Sequence, residues 1–373
     1  MQVIKSLFIS IMLLVPFLKT YASSLKDSTS VGLNSYNDNA DVEVYSPTLS
    51  LMKTLSKNFL LGVKLRIDAI SAASFKNGGS PSIPDTVIGA SSREGVFDEL
   101  RYAPTFTMAY EDQNNAVSGG VYYSTESDYE GRAVFLNYVR QFNEQNTAIG
   151  IGISQSDDKW IPAIDRNLPR DDRKEGKIDI FISQLISPTA SIEFVYSNMY
   201  SEGFLASPYN YVVQDTFAKF ENYPETRSGH AFALKGVFML NDRNSMNYSY
   251  RYYMDDWDIS SHTLSTEWLS DFSNTIISGV RLRYYTQTKA FFAKDVDTYR
   301  ASNQYFAVDY RMSAFDSYDI GIPFIYKPSR NSPYKITASI DLYQTSDNSY
   351  IKNWYDSDKI TAVYSTFSIE YDF

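Results

Sequence analysis

The sequence predicts an all-β chain that closes into a transmembrane antiparallel β-barrel of about 16 strands, within a range of roughly 14–18. Beyond the first 22 residues, no apolar run approaches the roughly 18 residues that a membrane-spanning helix needs. Aromatic residues make up 16% of the chain, with 31 Tyr and 23 Phe, as expected where aromatic girdles lie at both membrane interfaces. Stretches that alternate apolar and polar side chains recur at fairly even spacing along the whole chain.

The segment Lys359–Phe373 shows the alternation most clearly. One face of an extended strand carries Val363, Ser365, Phe367, Ile369, Tyr371 and Phe373, and the other carries Ala362, Tyr364, Thr366, Ser368, Glu370 and Asp372. A strand of this pattern that ends on Phe373 resembles the C-terminal signal of bacterial outer-membrane barrels. That resemblance implies the barrel-assembly machinery as a partner. The alternative interpretation is an amphipathic strand at the end of a soluble β-domain.

The segment Met1–Ala22 has the features of a cleaved secretory signal. Lys5 supplies the positive charge, Leu7–Leu18 is an apolar run too short to span a membrane, and small residues precede a cut after Ala22. We therefore expect a signal peptide over residues 1–22 and a single barrel over residues 23–373. The expected location is the bacterial outer membrane, in contact with its lipid and lipopolysaccharide.

Sixteen amphipathic segments are expected to form the strands of the barrel. In chain order they are Ser28–Tyr36, Val42–Leu55, Phe59–Ile70, Leu100–Tyr110, Ala116–Thr125, Arg132–Gln141, Ala148–Gln155, Lys177–Ile186, Ser191–Met199, His230–Leu240, Met246–Met254, Ile259–Leu269, Thr275–Gln287, Asp316–Tyr326, Tyr334–Gln344 and the final strand.

Short polar turns alternate with long polar loops between these strands, which predicts periplasmic turns and extracellular loops. The longest loops are expected at Ser71–Glu99, Ser156–Glu175, Ser201–Arg227 and Lys289–Ala314. Gln304–Ser313 also has the pattern of a strand, so the strand count depends on placing it in a loop. A soluble β-sandwich is the competing fold, but recurrent loops of this length are unusual there.

Composition excludes several classes of function. The net charge of −10 argues against nucleic acid as a partner, and the lack of Cys excludes thiol chemistry. The two histidines, His230 and His262, lack metal-binding spacing, so no metal site, cofactor or catalytic residue is predicted. Ser261 and His262 are adjacent on a strand and point to opposite faces, which weakens the case for a barrel-embedded hydrolase.

Charged residues on the inward faces are candidates for lining a pore. The alternation places Lys64, Arg66 and Asp68 on one strand, Arg251 on a second, and Arg281 with Arg283 on a third. The lumen would then carry charge of both signs. The same residues are also suited to cross-strand salt bridges that stiffen a polar lumen, and one role does not exclude the other.

A barrel of this width is too wide to be filled by side chains alone, which predicts either a channel or an inserted loop. Ile70–Leu100 and Ala301–Phe315 are the candidate inserted segments, and their charges include Arg93, Glu94, Asp309 and Arg311, with Arg101 adjacent to the first segment. At least one segment is expected to enter the lumen and pair with wall charges such as Arg66 and Asp68. Two ordinary surface loops are the alternative.

Three stretches resemble the domain-of-unknown-function family 3570, predicted barrels of the Gram-negative outer membrane. They are Arg66–Ser74, reading RIDAISAAS, Gly89–Glu94, reading GASSRE, and Asp309–Asp316, reading DYRMSAFD. The sequence departs from the family pattern at Ala72–Ser74 and in the inserted Phe75–Pro84. The resemblance implies the fold and the location, and it assigns neither a substrate nor catalytic residues.

We therefore expect a porin-like channel for small solutes that has no enzymatic activity. The alternative is a non-conducting barrel that acts as an envelope anchor, a receptor or a component of a complex, with Ile70–Leu100 plugging the lumen. The sequence leaves the solute and the oligomeric state open.

Overall fold

A computed structural model describes residues 25–39, 42–72, 97–161, 171–206, 211–214, 217–294, 303–307, 309–329, 331–352 and 357–373. In these ranges sixteen strands form a closed antiparallel barrel, and two more form a small separate hairpin. The barrel strands are β1 (Ser28–Asp38), β2 (Val42–Ser56), β3 (Phe59–Ala72), β4 (Phe97–Glu111), β5 (Asn115–Thr125), β6 (Tyr129–Phe142), β7 (Thr147–Trp160), β8 (Asp171–Ser187), β9 (Ala190–Gly203), β12 (Thr226–Asn241), β13 (Asn244–Asp255), β14 (Ser260–Asp271), β15 (Ile276–Gln287), β16 (Phe315–Tyr326), β17 (Tyr334–Thr345) and β18 (Thr361–Asp372). The hairpin comprises β10 (Tyr211–Gln214) and β11 (Phe217–Phe220).

The expected fold class and strand number are confirmed. Neighbouring barrel strands pair in sequence order, and β1 pairs with β18 from Ser28–Asp372 to Asp38–Ala362, so the sheet has no free edge. Closure satisfies the backbone hydrogen bonds that an open edge would leave unpaired in lipid. Gln304–Ser313 does not join the barrel, and it contains the short 3-10 helix Tyr310–Met312.

The loop expected over Ser156–Glu175 is shorter than the sequence pattern indicates, because β7 continues to Trp160 and β8 begins at Asp171. On the inner face of this extension the side chains of Asp158 and Arg173 form an ion pair at 2.6 Å. The outward positions here carry charged residues such as Lys159. The apolar–polar contrast is therefore lost although the strands continue.

The two ends of the barrel differ. We call the end that carries Ser28 and Phe373 the terminal end, and the opposite end the loop end. Short turns at the terminal end are held by local side-chain acceptors: Asp112 Oδ1 accepts from Asn115 N at 2.8 Å, and Asn241 Oδ1 accepts from Asn244 N at 3.0 Å. Such side-chain turns account for the Asn, Asp and Ser residues between the strands.

Asp27, which precedes β1, lies next to Phe373 beside the closing seam. The backbone N–H of Phe373 donates to the carbonyl of Asp27 at 3.0 Å, and the Lys53 ammonium lies 5.5 Å from the centre of the Phe373 ring. Lys53 also pairs with the Asp27 carboxylate. The hydrogen bond from Lys53, together with one from the Thr54 backbone, lowers the pKa of Asp27 to about 2. The contact therefore stays ionised at all but very acidic pH.

Side chains of opposite character occupy the two faces of the wall. Large apolar residues such as Leu49, Val63 and Ile151 are exposed on the outside, and alternate positions such as Thr48 and Lys64 face the interior. No helix among the described residues is long and apolar enough to cross a membrane. The exposed apolar belt is the surface expected where lipid replaces water around the protein.

At the loop end, residues from several connections pack into one apolar cluster, which we call the loop assembly. Its buried members are Ala206, Tyr223, Trp257, Ile259, Ala290, Phe292, Ala293, Ala307, Met312 and Tyr350. The ring of Phe292 lies 5.1 Å from that of Tyr223 and 5.2 Å from that of Trp257. Four connections, β9 to β12, β13 to β14, β15 to β16 and β17 to β18, thus share one core.

The segment expected to be a signal peptide, Met1–Ala22, and the loop residues Arg93 and Glu94 lie outside the described residues.

Candidate functional site

The six residues expected to line a pore lie at inward positions of the barrel. Lys64, Arg66 and Asp68 follow one another at alternate positions of β3, and the exposed Val63 and Leu65 occupy the opposite face. By the same alternation Arg251 of β13 and Arg281 with Arg283 of β15 face inward. Their role in solute passage stays a prediction.

Asp68 lies at the centre of a buried charge cluster on the inner wall. Its carboxylate accepts a hydrogen bond from Arg66 Nε at 2.6 Å and pairs with Arg101 of the neighbouring strand. Arg66 also donates to Ser46 Oγ at 3.2 Å. The Asp68 side chain is 1% exposed and that of Arg101 is 7% exposed, so both charges depend on each other for compensation.

A second cluster spans four neighbouring strands, β14 to β17. The guanidinium of Arg281 contacts Asp341 Oδ1 at 2.5 Å and Glu267 Oε2 at 3.5 Å. Gly321 lies between Arg281 and Asp341 in the register, and a Cβ there would come 1.9 Å from the Asp341 carboxylate. Glycine at this position therefore gives the ion pair the space to form across β16.

Other inward charges also form pairs. Lys235 Nζ lies 2.8 Å from Glu193, directly across the strand pair, and Lys177 Nζ lies 2.9 Å from Asp179 on the same strand. Lys335 pairs with Glu370. Pairing leaves these parts of the wall polar but locally neutral.

Arg251 and Arg283 differ from the other inward arginines. Among the described residues, no carboxylate lies within ion-pair distance of either guanidinium, and both side chains are partly exposed. Each one lies over a tyrosine of its own strand, Arg251 at 5.3 Å from the Tyr253 ring and Arg283 at 5.5 Å from the Tyr285 ring. These two arginines therefore give the inner wall a positive region.

The lumen is not equally open along its length. Inward residues of the middle and the terminal half, such as Thr105, Ser265 and Thr366, are partly exposed. Inward residues at the loop end, such as Asp68 and Trp160, are buried, and the loop assembly covers the side from β9 to β18. The inner wall of the described residues is therefore polar, and it is more densely packed at the loop end.

Charged residues of the β15–β16 connection form an ion pair and hydrogen bonds at the loop assembly. Arg311 Nε donates to Asp309 Oδ2 at 2.7 Å, and the backbone N–H of Asp309 donates to Glu221 Oε1 at 2.8 Å. Burial would raise the pKa of the Asp309 carboxyl, but the charge and hydrogen bonds of Arg311 outweigh burial and hold the pKa below its ordinary value. Asp309 and Arg311 thus pair with each other. The expectation that at least one inserted segment pairs with wall charges such as Arg66 and Asp68 stays a prediction, because residues 73–96 of the other segment lie outside the described residues.

Arg101 is a wall residue that lies in the expected strand Leu100–Tyr110 but was not among the residues expected to line a pore. It lies on β4 opposite Asp68 in the register, two inward positions from Thr105. The stretch Arg101–Thr107 alternates polar and apolar residues, and this signal is sufficient to place Arg101 on the inward face.

Both histidines lie on the outer surface among tyrosines. His230 Nδ1 lies 3.0 Å from the Tyr196 hydroxyl, and His262 Nδ1 lies 2.7 Å from the Tyr250 hydroxyl. The buried Ser261 faces the interior, on the opposite side from the exposed His262. In the part of the chain that the structure describes, no group of three or more His, Asp or Glu is arranged to hold a metal ion.

The family described as "Protein of unknown function (DUF3570)" matches residues 10–371. The chain belongs to this family. Among curated proteins, none matches this DUF3570 member. The resemblance found in the sequence is thereby confirmed, and the described residues give the family member a closed sixteen-stranded barrel.

Several solved structures are similar to the DUF3570 protein. A bacterial polysaccharide outer membrane secretin is 8% identical with a TM-score of 0.54, and the match covers 94% of this chain and 99% of that one. The CymD monoaromatic hydrocarbon channel is 8% identical with a TM-score of 0.45, covering 95% and 90%. The outer membrane protein OpdK from Pseudomonas aeruginosa is 9% identical with a TM-score of 0.43, covering 93% and 98%. At 8% identity the likeness to the secretin shows the fold alone, which resembles that of a bacterial outer-membrane protein.

Proposed function

We propose that this DUF3570 protein is a porin-like channel for small hydrophilic solutes in the bacterial outer membrane. The observation that carries the proposal is the charged and hydroxyl-rich inner wall, partly exposed at Arg251, Ser265, Arg283 and Thr366. A barrel of sixteen strands leaves an interior that side chains alone do not fill. Water and solutes are the natural occupants of such a polar lumen.

The proposed orientation places the terminal end in the periplasm and the loop end outside the cell, as is usual for barrels with short turns at one end. The exposed apolar belt would contact lipid, and the outer rim would contact lipopolysaccharide. The strand that ends at Phe373 would be recognised by the barrel-assembly machinery during insertion.

A non-conducting receptor or envelope anchor is the second candidate. The packed loop end favours this hypothesis, because Phe292, Trp257 and Met312 form a buried apolar core at the end where solutes would otherwise enter. In the channel reading the same assembly narrows the entrance and sets the size of the solutes that pass.

Planar-bilayer recording distinguishes the two candidates. Refolded protein without residues 1–22 is added to a phospholipid bilayer in KCl, and the current is recorded at fixed voltages. A channel gives discrete steps with a linear current–voltage relation at low voltage. The control is the heat-modifiable gel mobility of a folded barrel. If protein with this mobility never gives a current, the result contradicts the channel and supports the non-conducting candidate.

A further inference from the structure

A strip of the inner wall on β13, β14 and β15 has the chemistry of a binding site. We call it the arginine groove. Arg251 and Tyr253 form one side on β13, Arg283 and Tyr285 form the other side on β15, and Thr263 and Ser265 of β14 lie between them. Each of these residues occupies an inward position, and the two flanking strands are separated by two strand spacings, about 10 Å.

The register gives the groove a low floor and raised sides. Arg251 pairs with Thr263 across β13 and β14, and Thr263 pairs with Tyr285 across β14 and β15. Arg283 pairs with Ser265 in the same way. The long side chains on β13 and β15 thus stand on both sides of two short hydroxyl side chains, and all of these groups are partly exposed.

The two guanidinium groups of the groove have no ion-pair partner among the described residues, although the charges of Asp179 and Asp319 act on them from farther away. Each guanidinium also experiences the like charge of the other. Asp319 lies opposite Arg283 on β16, on the side of β15 that faces away from the groove. By contrast, Arg66, Arg101 and Arg281 all have acidic partners. The strip is therefore locally positive, although the whole chain has a net charge of −10.

We propose that the arginine groove binds small anionic solutes that carry a hydroxylated ring, of the class of acidic sugars. Guanidinium groups bind carboxylates through paired charge-assisted hydrogen bonds. Tyrosine faces pack against rings, and the Thr263 and Ser265 hydroxyls exchange hydrogen bonds with sugar hydroxyls. The inference that acidic sugars are solutes which pass through the protein rests on the proposed channel function. Their binding to the groove is measurable without conduction.

Calorimetric titration of the refolded protein in detergent tests the groove. The probes are sodium glucuronate, glucose and sodium acetate. The wild-type protein is expected to bind glucuronate at least tenfold more tightly than glucose, which lacks the carboxylate, and more tightly than acetate, which lacks the ring. The variant Arg251→Gln/Arg283→Gln is expected to lose at least tenfold in glucuronate affinity, because each lost charged hydrogen bond weakens binding substantially.

A matched control removes two positive charges from the outside of the barrel. Arg132 and Arg140 are exposed at outward positions, so Arg132→Gln/Arg140→Gln should bind glucuronate like the wild type. The variant Arg251→Lys/Arg283→Lys keeps the charge but loses the planar fork, and an intermediate affinity is expected. Since neither groove arginine is in a described ion pair, both groove variants should keep the gel mobility of the folded barrel.

Three results would overturn the proposal that the arginine groove binds acidic sugars. They are no glucuronate binding by the wild type, an affinity for glucose equal to that for glucuronate, and a glucuronate affinity that Arg251→Gln/Arg283→Gln leaves unchanged. Acetate binding as tight as glucuronate binding would refute the ring contact. Failure of the channel proposal looks different, because a protein that binds glucuronate through these arginines but gives no current has the site without conduction.

Discussion

Replacement of Asp68 by asparagine is expected to lower the free energy of unfolding of the barrel by about 3–5 kcal/mol. The substitution keeps the size of the side chain, so it leaves no cavity. It removes the carboxylate that compensates Arg101, whose side chain is 7% exposed, and it weakens the contact with Arg66 at 2.6 Å. The remaining guanidinium would be a buried charge without its partner.

Unfolding of the barrel in phospholipid vesicles, followed by tryptophan fluorescence over a urea series, measures this effect. Glu370→Gln is the matched control, because it also neutralises one carboxylate of an inward pair. Glu370 and Lys335 are 29% and 24% exposed, so the control is expected to cost less than about 1 kcal/mol. Equal losses for Asp68→Asn and Glu370→Gln would show that burial of the Asp68 cluster contributes nothing.

Replacement of Phe292 by alanine is expected to destabilise the loop assembly by about 3–5 kcal/mol, the usual cost of removing a buried phenylalanine side chain. Phe292 is 3% exposed and contacts the rings of Tyr223 and Trp257. Its loss should open the loops locally while the barrel strands stay paired. Trypsin should then cleave after Lys289, Lys294 or Arg311 at least tenfold faster, since about 1.4 kcal/mol corresponds to a factor of ten.

Phe291 provides the control for this experiment. It precedes Phe292 in the chain but is 50% exposed, so Phe291→Ala should leave the cleavage rate close to that of the wild type. If the loop assembly narrows the entrance, Phe292→Ala should also increase the single-channel conductance. Equal cleavage rates for the two alanine variants would contradict a packed loop core.

The alternation of side chains was sufficient to predict the barrel and both of its faces. On β3 the contrast between Val63 and Lys64 repeats along the strand, and the structure has the same sixteen barrel strands that this contrast predicts. The reason is physical: lipid outside and polar groups inside impose a period of two on every spanning strand. A closed barrel needs little further information, since its strands pair in chain order.

The partners of the inward charges were not predictable in the same way. Asp68 pairs with Arg101, 33 residues away, and Arg281 pairs with Asp341, 60 residues away. These pairs depend on the stagger between strands, which the side-chain pattern of a single strand does not contain. Likewise, the β7–β8 extension carries charge on its outward face, so its strands lack the contrast that revealed the others.

The loop assembly was beyond prediction for a related reason. Tyr223, Trp257 and Phe292 lie on three connections whose sequences show no regular period, and their contacts arise only after the barrel brings the connections together. The sequence indicated that Ala301–Phe315 is a candidate inserted segment, and Met312 of this segment lies in the assembly. The members of the assembly come from four different connections.

The central claim is that lipid surrounds the wall and water fills its interior. Because the chain contains no Cys, single substitutions at adjacent positions test this claim with a membrane-impermeant maleimide on protein in vesicles. Ser265→Cys and Thr366→Cys should react, and their outward neighbours Leu264→Cys and Phe367→Cys should stay protected until the protein is unfolded. Equal reaction at the inward and outward positions, or protection of both inward positions, would contradict a water-filled barrel in a membrane.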